Sequence, residues 1–158
     1  MIIRPTTDAD RGAVDALLAR TYPSLLKADY APEILDHALP IISRARPELL
    51  TCGTYYVVEE DGIVLGAGGW TPDTKTPELG HIRHVVTDMR ALRRGVGRRL
   101  IGHALDVARG AGISRMECWA TRTAVPFYTA MGFEDIGPID VPLAGGVIFP
   151  SVRMTQAL

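Results

Sequence analysis

One segment in the middle of the chain restricts its fold more than any other. Leu79 to Thr87 has the pattern of a strand, Arg93-Arg94-Gly95-Val96-Gly97-Arg98 follows it, and helical periodicity then continues to about Arg109. This order predicts a strand, a short glycine-containing loop and a helix. A further strand is predicted from Arg115 to Trp119, so the centre of the chain is a strand-helix-strand unit.

The N-terminal third predicts one strand and two helices. Met1 to Arg4 is a short strand, and Asp8 is expected to cap the first helix. A second helix is predicted from about Pro32 to Arg44, with a proline in its first turn. The link between the helices, Thr21 to Ala31, carries several large side chains, so we expect it to line a pocket.

The remaining segments predict mainly strands. Glu60-Asp61-Gly62 is typical of a hairpin turn between two of them. The other predicted strands are Thr54 to Glu59, Ile63 to Trp70, Phe133 to Ile139 and Val147 to Met154, and a helix is predicted from about Thr123 to Met131. The resulting order is β-α-α-β-β-β-α-β-α-β-β.

The composition suits one globular domain. The chain has 158 residues, of which 47% are hydrophobic, and a formal net charge of −1. This is enough for a single core spanning residues 1–158, and the charge gives no reason to expect nucleic acid or a membrane as a partner. Cys52 and Cys118 form no CxxC pair or metal-ligand spacing, so no metal is expected. With no signal-peptide pattern, a cytoplasmic protein with reduced thiols is the expectation.

The Arg/Gly segment is suited to binding an anion. The first turn of a helix presents backbone amides without partners, and its dipole favours negative charge. Gly95 and Gly97 would let phosphate oxygens approach the backbone, and the arginines would add positive charge. A pyrophosphate is the natural occupant, although a plain tight turn with solvated arginines would contain the same residues.

Two other phosphate-binding motifs are excluded by single residues. A Walker-type loop needs Lys and then Ser or Thr after its second glycine, where this chain has Arg98-Arg99. The dinucleotide-binding fingerprint needs a third glycine at the position of Leu100.

A second motif lies about thirty residues further along the chain. Here Phe127-Tyr128 is followed by Gly132-Phe133 at the end of a predicted helix. Taken alone, the aromatic pair is typical of core packing and Gly132 of a helix C-cap.

Together the two motifs resemble those of the GCN5-related N-acetyltransferase (GNAT) family. The family signature Arg/Gln-x-x-Gly-x-Gly/Ala is matched at both glycines, with Leu92 in place of the usual Arg or Gln. The resemblance extends from about Ile63 to Met154. It implies an α+β GNAT fold, with a mixed central sheet of six to seven strands flanked by four helices. It also implies transfer of an acetyl group from acetyl-CoA to an amine.

The resemblance further implies roles for individual residues. The backbone of Val85, Val86 and Thr87 would pair with the pantetheine arm of CoA, and Tyr128 would protonate the departing thiolate. Thr121 stands where the family often has an Asn that contacts the same arm. The amides implied to hold the CoA pyrophosphate are those of Arg93, Arg94, Gly95, Val96, Gly97 and Arg98.

The general base is left open among three residues. His81 follows Gly80 at a position where some relatives carry a glutamate that acts through water, and an ordinary His pKa near 6.5 suits a base. His84 and Glu117 are the alternatives, and each of the three is also compatible with a purely structural role. An amide at Val85 or Val86 could hold the negative charge that develops on the carbonyl oxygen.

The acceptor is expected to be a small-molecule amine or a peptide amino group. Its pocket should be lined by the link from Tyr22 to Tyr30, by Trp70 and by the hairpin from Val141 to Pro150. A module that binds acetyl-CoA without turnover is the alternative function, and Tyr128 favours the enzyme. Pairing of two copies through the strand Val147 to Met154 is a further expectation.

Overall fold

A computed structural model describes every residue from Met1 to Leu158. Its centre is one β-sheet of seven strands, and five helices accompany it. The strands are β1 (Ile2–Pro5), β2 (Tyr55–Glu60), β3 (Ile63–Pro72), β4 (Leu79–Thr87), β5 (Arg115–Ala120), β6 (Glu134–Pro142) and β7 (Ile148–Ala157). The helices are α1 (Arg11–Leu26), α2 (Pro32–Ile42), α3 (Pro47–Leu50), α4 (Val96–Gly110) and α5 (Val125–Ala130).

The strands lie in the order β1-β2-β3-β4-β5-β7-β6. All neighbouring pairs are antiparallel except β4 and β5, which are parallel and joined by α4. The predicted strand-helix-strand unit is therefore confirmed, as is the mixed sheet of the α+β class. The helix count is five and not four, because the single turn Pro47–Leu50 has too few residues to show a helical period.

Helices cover both faces of the sheet. One buried cluster lies around α4 and α5, and a second lies around α1 and α2. Strand β2 contributes to both, because its side chains alternate: Tyr56 and Val58 belong to the first cluster, and Tyr55 and Val57 to the second. The sheet is packed between these two clusters, and its central strands β4 and β5 carry the candidate functional residues.

The first helix differs from the prediction at both ends. Asp8–Asp10 form a 3-10 turn that leads into α1, and Thr7, not Asp8, caps this turn: its side chain accepts from Ala9 N, and Asp10 accepts from the Thr7 amide at 2.8 Å. Asp10 is the N-cap of α1 itself, and its side chain makes no capping bond there. At its other end α1 continues through Pro23 to Leu26, so the link to α2 is only residues 27–31. Tyr22 and Leu26 extend the buried stripe of the helix, and their packing offsets the hydrogen bond that Pro23 cannot make.

The last two strands form a long hairpin. β7 pairs with β5 on one side and with β6 on the other, which leaves β6 at the edge of the sheet. β5 pairs with residues Val152–Ala157 of β7, and β6 pairs with residues Ile148–Thr155. The two edge strands of the sheet are β1 and β6. No helix of the protein has the length and apolar character needed to span a bilayer.

Candidate active site

The two parallel strands at the centre of the sheet separate after a short pairing. β4 and β5 are in register only from Leu79↔Arg115 to His81↔Glu117. Beyond that point a cavity of about 590 Å³ opens between residues 82–85 of β4 and 118–121 of β5. Backbone groups on the facing edges of these strands lack a strand partner there, so they can bind side chains or a ligand instead.

A β-bulge shapes the β4 wall of this cavity. The register of β4 with β3 shifts between Ala67↔Val86 and Gly69↔Arg83, which leaves one extra residue in β4. His84 adopts a φ of 49° at this place, in the left-handed region. Two buried tyrosines hold the bulge, since the Tyr22 hydroxyl donates to Val85 O at 3.0 Å and the Tyr55 hydroxyl donates to His84 O at 2.7 Å.

The helix that follows β4 begins with unpaired amides. Its N-cap is Gly95, at a φ of 80°, and the capping residue makes no side-chain hydrogen bond. Arg99 N is the first amide to find an acceptor, Gly95 O at 3.0 Å. The amides of Val96, Gly97 and Arg98 thus have no partner within the helix and point out of its positive end.

The two glycines of this segment serve different purposes. Gly95 has open space where a Cβ would lie, and its positive φ is what favours glycine there. At Gly97, a Cβ would lie 3.1 Å from the Phe127 ring and 3.3 Å from Thr87 Oγ1. The first glycine therefore makes the turn, and the second lets the start of α4 pack closely on α5 and β4.

The positive charge near this helix is partly neutralised within the protein. Arg94 pairs with Glu60 at 2.7 Å, and Arg90 pairs with the buried Asp88 at 2.8 Å. Arg93 and Arg98 are exposed and make no ion pair with the protein. The rim of the helix N-terminus therefore keeps two free guanidinium groups for an anionic ligand.

Tyr128 lies on α5 and lines the cavity, with its side chain almost fully buried. Its ring packs against Phe127 and Phe133 at centroid distances of 5.1 and 5.5 Å. Burial raises the pKa of Tyr128 well above its ordinary value, with the neighbouring Cys118 as a further cause. The hydroxyl is therefore protonated at neutral pH. Burial likewise raises the pKa of the Cys118 thiol to about 12, so it is also protonated.

The remaining residues predicted to contact CoA are distributed between the cavity and α4. Val85 and Thr121 line the cavity, and Thr121 Oγ1 also accepts from Ala124 N at 3.3 Å at the turn that leads into α5. Val86 is buried against the α1 side, and Thr87 lies beside Gly97. β4 therefore runs from the cavity to the start of α4.

Two of the three candidate bases lie outside the cavity lining. His81 is held between two acids, with Nε2 2.8 Å from Asp73 Oδ1 and Nδ1 3.7 Å from Glu117 Oε2. Both oxygens of Glu117 are already in use, since Oε1 accepts from Arg153 at 2.6 Å and Oε2 from Trp119 at 3.0 Å. These residues form a connected polar group on the sheet.

His84 is the candidate base that lines the cavity. Its Nε2 lies 2.7 Å from Ile42 O, and because a carbonyl only accepts, Nε2 carries the proton. Nδ1 is then the basic nitrogen, and it is buried without a hydrogen-bond partner. Burial lowers the pKa of His84 below its ordinary value, so the ring is neutral at pH 7.

The acceptor side of the cavity agrees only in part with the prediction. Tyr22 and the hairpin residues Val141 to Ala144 line it, as does Phe149. Trp70 does not, because its side chain is buried in the cluster around α4.

Among the lining residues that the sequence did not predict, two are charged, Arg46 and Arg83. Arg83 lies two residues after His81 on β4, so strand alternation alone could have placed the two on one face. No signal in the sequence indicated Arg46. No group of three or more His, Cys, Asp or Glu side chains is arranged to hold a metal ion.

Comparison with known proteins supports one family. The family model for the acetyltransferase (GNAT) family matches residues 14–133. An IAA acetyltransferase of Azospirillum brasilense is 30% identical over 115 residues, which are 70% of this chain and 71% of that protein.

Two solved structures share the fold at low sequence identity. A GCN5-related N-acetyltransferase from Rhodopseudomonas palustris has a TM-score of 0.78 at 20% identity, covering 99% of this chain and 95% of that one. The PaiA N-acetyltransferase of Thermoplasma acidophilum, in complex with coenzyme A, has a TM-score of 0.72 at 11% identity, with 99% and 98% covered.

The separated parallel strands, with a helix N-terminus beside them, define an acyltransferase of the CoA-binding type. The chain belongs to the GNAT family and is an N-acetyltransferase.

Proposed function

We propose that the protein transfers the acetyl group of acetyl-CoA to a primary amine of a small molecule, by direct attack within a ternary complex. The observation that carries the proposal is the cavity between β4 and β5. Tyr128 and His84 line this cavity, and β4 leads from it to the unpaired amides at the start of α4. The IAA acetyltransferase relative supports the same reaction type.

The donor is proposed to lie along β4. The unpaired amides at the start of α4, with the exposed side chains of Arg93 and Arg98, suit a pyrophosphate. Arg94 is left out of this set, because its amide donates to Ala91 O at 3.3 Å and its side chain is engaged with Glu60. β4 has no β5 partner from Val85 to Thr87, and this edge suits the amide groups of a pantetheine arm, although Val85 O already accepts from Tyr22. Thr121 lines the same cavity as Val85.

Tyr128 is proposed as the general acid. Acetyl-CoA supplies an activated thioester, and the CoA thiolate that leaves must be protonated. Because the pKa of Tyr128 is raised, its hydroxyl keeps its proton until negative charge builds on the sulfur nearby. The amide of Val85 is proposed to stabilise the charge on the carbonyl oxygen, since Val85 lines the cavity and Val86 does not.

His84 is proposed as the base, ahead of His81. An amine must lose a proton before or during its attack. His84 lines the cavity, and its Nδ1 is buried without a hydrogen-bond partner, so a small shift of the ring has to bring this atom to the amine. A buried nitrogen without a partner is costly in an apoprotein, and an N–H group of the bound acceptor would satisfy it. His81 could take part only through a relay, because it does not line the cavity.

Two measurements test the proposal. Calorimetric titration should show binding of acetyl-CoA, and a thiol-release assay over a panel of primary amines should show turnover. Failure to bind acetyl-CoA would exclude the proposed donor. Tight binding with no turnover on any amine would instead support a non-catalytic acetyl-CoA-binding module.

A further inference from the structure

Charge is distributed unevenly around the cavity. Its lining contains two arginines, Arg46 and Arg83, and no Asp or Glu. The other titratable side chains in the wall are His84, Cys118 and two tyrosines, all of which are neutral at pH 7 on the pKa directions above. The acceptor therefore meets a positively charged wall.

Arg83 has donors that no protein group uses. Its Nε donates to Thr71 Oγ1 at 2.9 Å, and no other atom of its guanidinium makes a hydrogen bond. The side chain is only partly exposed and has no ion-pair partner. The negative charge of Asp73 raises the pKa of Arg83, but the carboxylate of Asp73 is hydrogen-bonded to His81 at 2.8 Å and not to Arg83. A half-buried guanidinium with both Nη groups unused is suited to a planar, bidentate anion.

Arg46 lies close enough for its charge to act on Arg83. Burial lowers the pKa of Arg83, and the positive charge of Arg46 lowers it further. Arg46 Nε pairs with Glu48 at 2.8 Å at the surface, where both side chains are more than half exposed. Its Nη groups make no hydrogen bond. Both guanidinium groups line the same cavity, so an anionic group bound there would be attracted by both.

The donor cannot supply this anion within the cavity, because its pantetheine arm and thioester are uncharged. Its phosphates belong at the start of α4. The charge must therefore come from the acceptor, and polycationic acceptors such as polyamines are disfavoured. Large apolar side chains make up most of the remaining wall, among them Ile41, Ile42, Trp119, Leu143 and Phe149.

We propose that the acceptor is an amino acid with an apolar side chain, and that Arg83, assisted by Arg46, binds its carboxylate while its amino group faces the thioester. This proposal rests on the proposed acetyltransferase function and adds the class of substrate to it. Arg83 and Arg46 then act in recognition of the acceptor and take no part in the chemical step.

The test is a thiol-release assay with matched acceptors. The panel holds the twenty common amino acids, their carboxamides and, for the apolar members, the amines that lack the carboxyl group. We expect kcat/KM for the best amino acid to exceed that of its amide and its decarboxylated amine by about 10- to 100-fold. The amino group of the carboxamide is less basic than that of the amino acid, so more of it is in the neutral form that attacks the thioester. This difference alone would make the carboxamide the faster acceptor, so faster turnover of the amino acid would be stronger support for the carboxylate site.

Substitution of the two arginines tests whether they cause the preference for a carboxylate. Arg83→Gln should lower kcat/KM for the amino acid at least tenfold, roughly the loss of a charged hydrogen bond, and leave the uncharged amines nearly unchanged. Arg46→Gln should act in the same direction and more weakly. Arg109→Gln is the matched control, because it removes one positive charge on α4 outside the cavity lining. Melting temperature and acetyl-CoA affinity should be unaltered in all three.

The outcomes separate this inference from the function on which it rests. If amides or decarboxylated amines are acetylated as well as the amino acids, or if Arg83→Gln slows all acceptors equally, the carboxylate site is wrong and the acetyltransferase stands. If no amino acid is a substrate, the site is equally wrong. Loss of acetyl-CoA binding in the wild-type protein would overturn both.

Discussion

The hydroxyl group of Tyr55 in β2 bonds to the carbonyl of His84 in β4, at 2.7 Å, although β3 lies between the two strands. The residue of β3 in register with Tyr55 is Gly69, where a Cβ would lie 2.6 Å from Tyr55 Cα, so the two strands approach closely here. The bond holds the bulge at the point where β4 turns away from β5. In this way a buried residue of the scaffold determines the direction of the cavity wall.

Replacement of His84 should change the pH dependence of turnover. Only the neutral ring accepts a proton, and the pKa of His84 is lowered, so kcat/KM should fall as the pH drops below about 6.5. His84→Asn should remove this acidic limb and lower kcat about 100-fold. Asn tolerates the positive φ at this position better than most residues.

His81→Asn is the matched variant for the base assignment. It removes an imidazole from the same strand outside the cavity lining, so the acidic limb should persist. If the limb disappears with His81→Asn and persists with His84→Asn, the base has been assigned to the wrong histidine.

Loss of the Tyr128 hydroxyl should slow the chemical step. Tyr128→Phe keeps the ring that packs between Phe127 and Phe133, so stability and acetyl-CoA affinity should hardly change. We expect kcat to fall about 100-fold, the typical effect of removing a general acid. Tyr56→Phe provides the control, because Tyr56 is as buried but does not line the cavity. Equal kcat values for the two variants would contradict the role of Tyr128.

Substitution of Gly97 should weaken donor binding. A Cβ there would lie 3.1 Å from the Phe127 ring, so the start of α4 has to move away from α5. We expect Gly97→Ala to raise the Kd of acetyl-CoA about tenfold, because displaced amides at the start of α4 would make weaker hydrogen bonds to the pyrophosphate.

Gly102 offers a control within the same helix. A Cβ at Gly102 meets open space, so Gly102→Ala should leave the Kd unchanged and raise the free energy of unfolding by about 1 kcal/mol. An unchanged Kd in Gly97→Ala would show that the close contact does not position the amides.

Asp88 should stabilise the loop before α4 in a pH-dependent way. It is 2% exposed and accepts from Arg20 and Arg90 at 2.7 and 2.8 Å. We expect Asp88→Asn to lower the free energy of unfolding by about 2 kcal/mol at pH 7. The hydrogen bond from Arg90 lowers the pKa of Asp88 in the folded protein. The contribution of Asp88 to the free energy of unfolding is therefore complete above the unfolded-state pKa near 3.9, and it decreases as the pH falls below that value.

Urea unfolding at pH 7, 5 and 3.5 measures the effect of Asp88. The difference between wild type and Asp88→Asn should be equal at pH 7 and 5 and smaller at pH 3.5. Asp106→Asn is the control, because Asp106 is 78% exposed and its pair with Arg109 should contribute less than about 0.5 kcal/mol. A difference that stays constant down to pH 3.5 would argue against the charged pairs.

Local patterns predicted most of the framework. The strand bounds of β4 agree with the structure, and α4 ends within one residue of the predicted limit. The placement of Tyr128 on a helix after β5 also followed from the chain. These features depend on periodicity, glycines and turns, which act over a few residues.

Other features depend on contacts between distant segments. The link between the first two helices was predicted from Thr21 to Ala31, but packing of Tyr22 and Leu26 carries α1 through Pro23 to Leu26. Trp70 has the size of a pocket residue but belongs to the core. A strand position alone could not decide which face of the sheet holds a cavity.

The sequence by itself determined the strand-helix-strand unit, the Arg/Gly helix start and the aromatic helix that carries Tyr128, because each is encoded by neighbouring residues. Only the tertiary structure decided which groups meet in the cavity. The bulge in β4 and the separation from β5 bring His84 and Arg83 to its wall and leave His81 and Glu117 paired outside it. These contacts depend on pairing between strands that are far apart in the sequence, so no local sequence pattern predicts them.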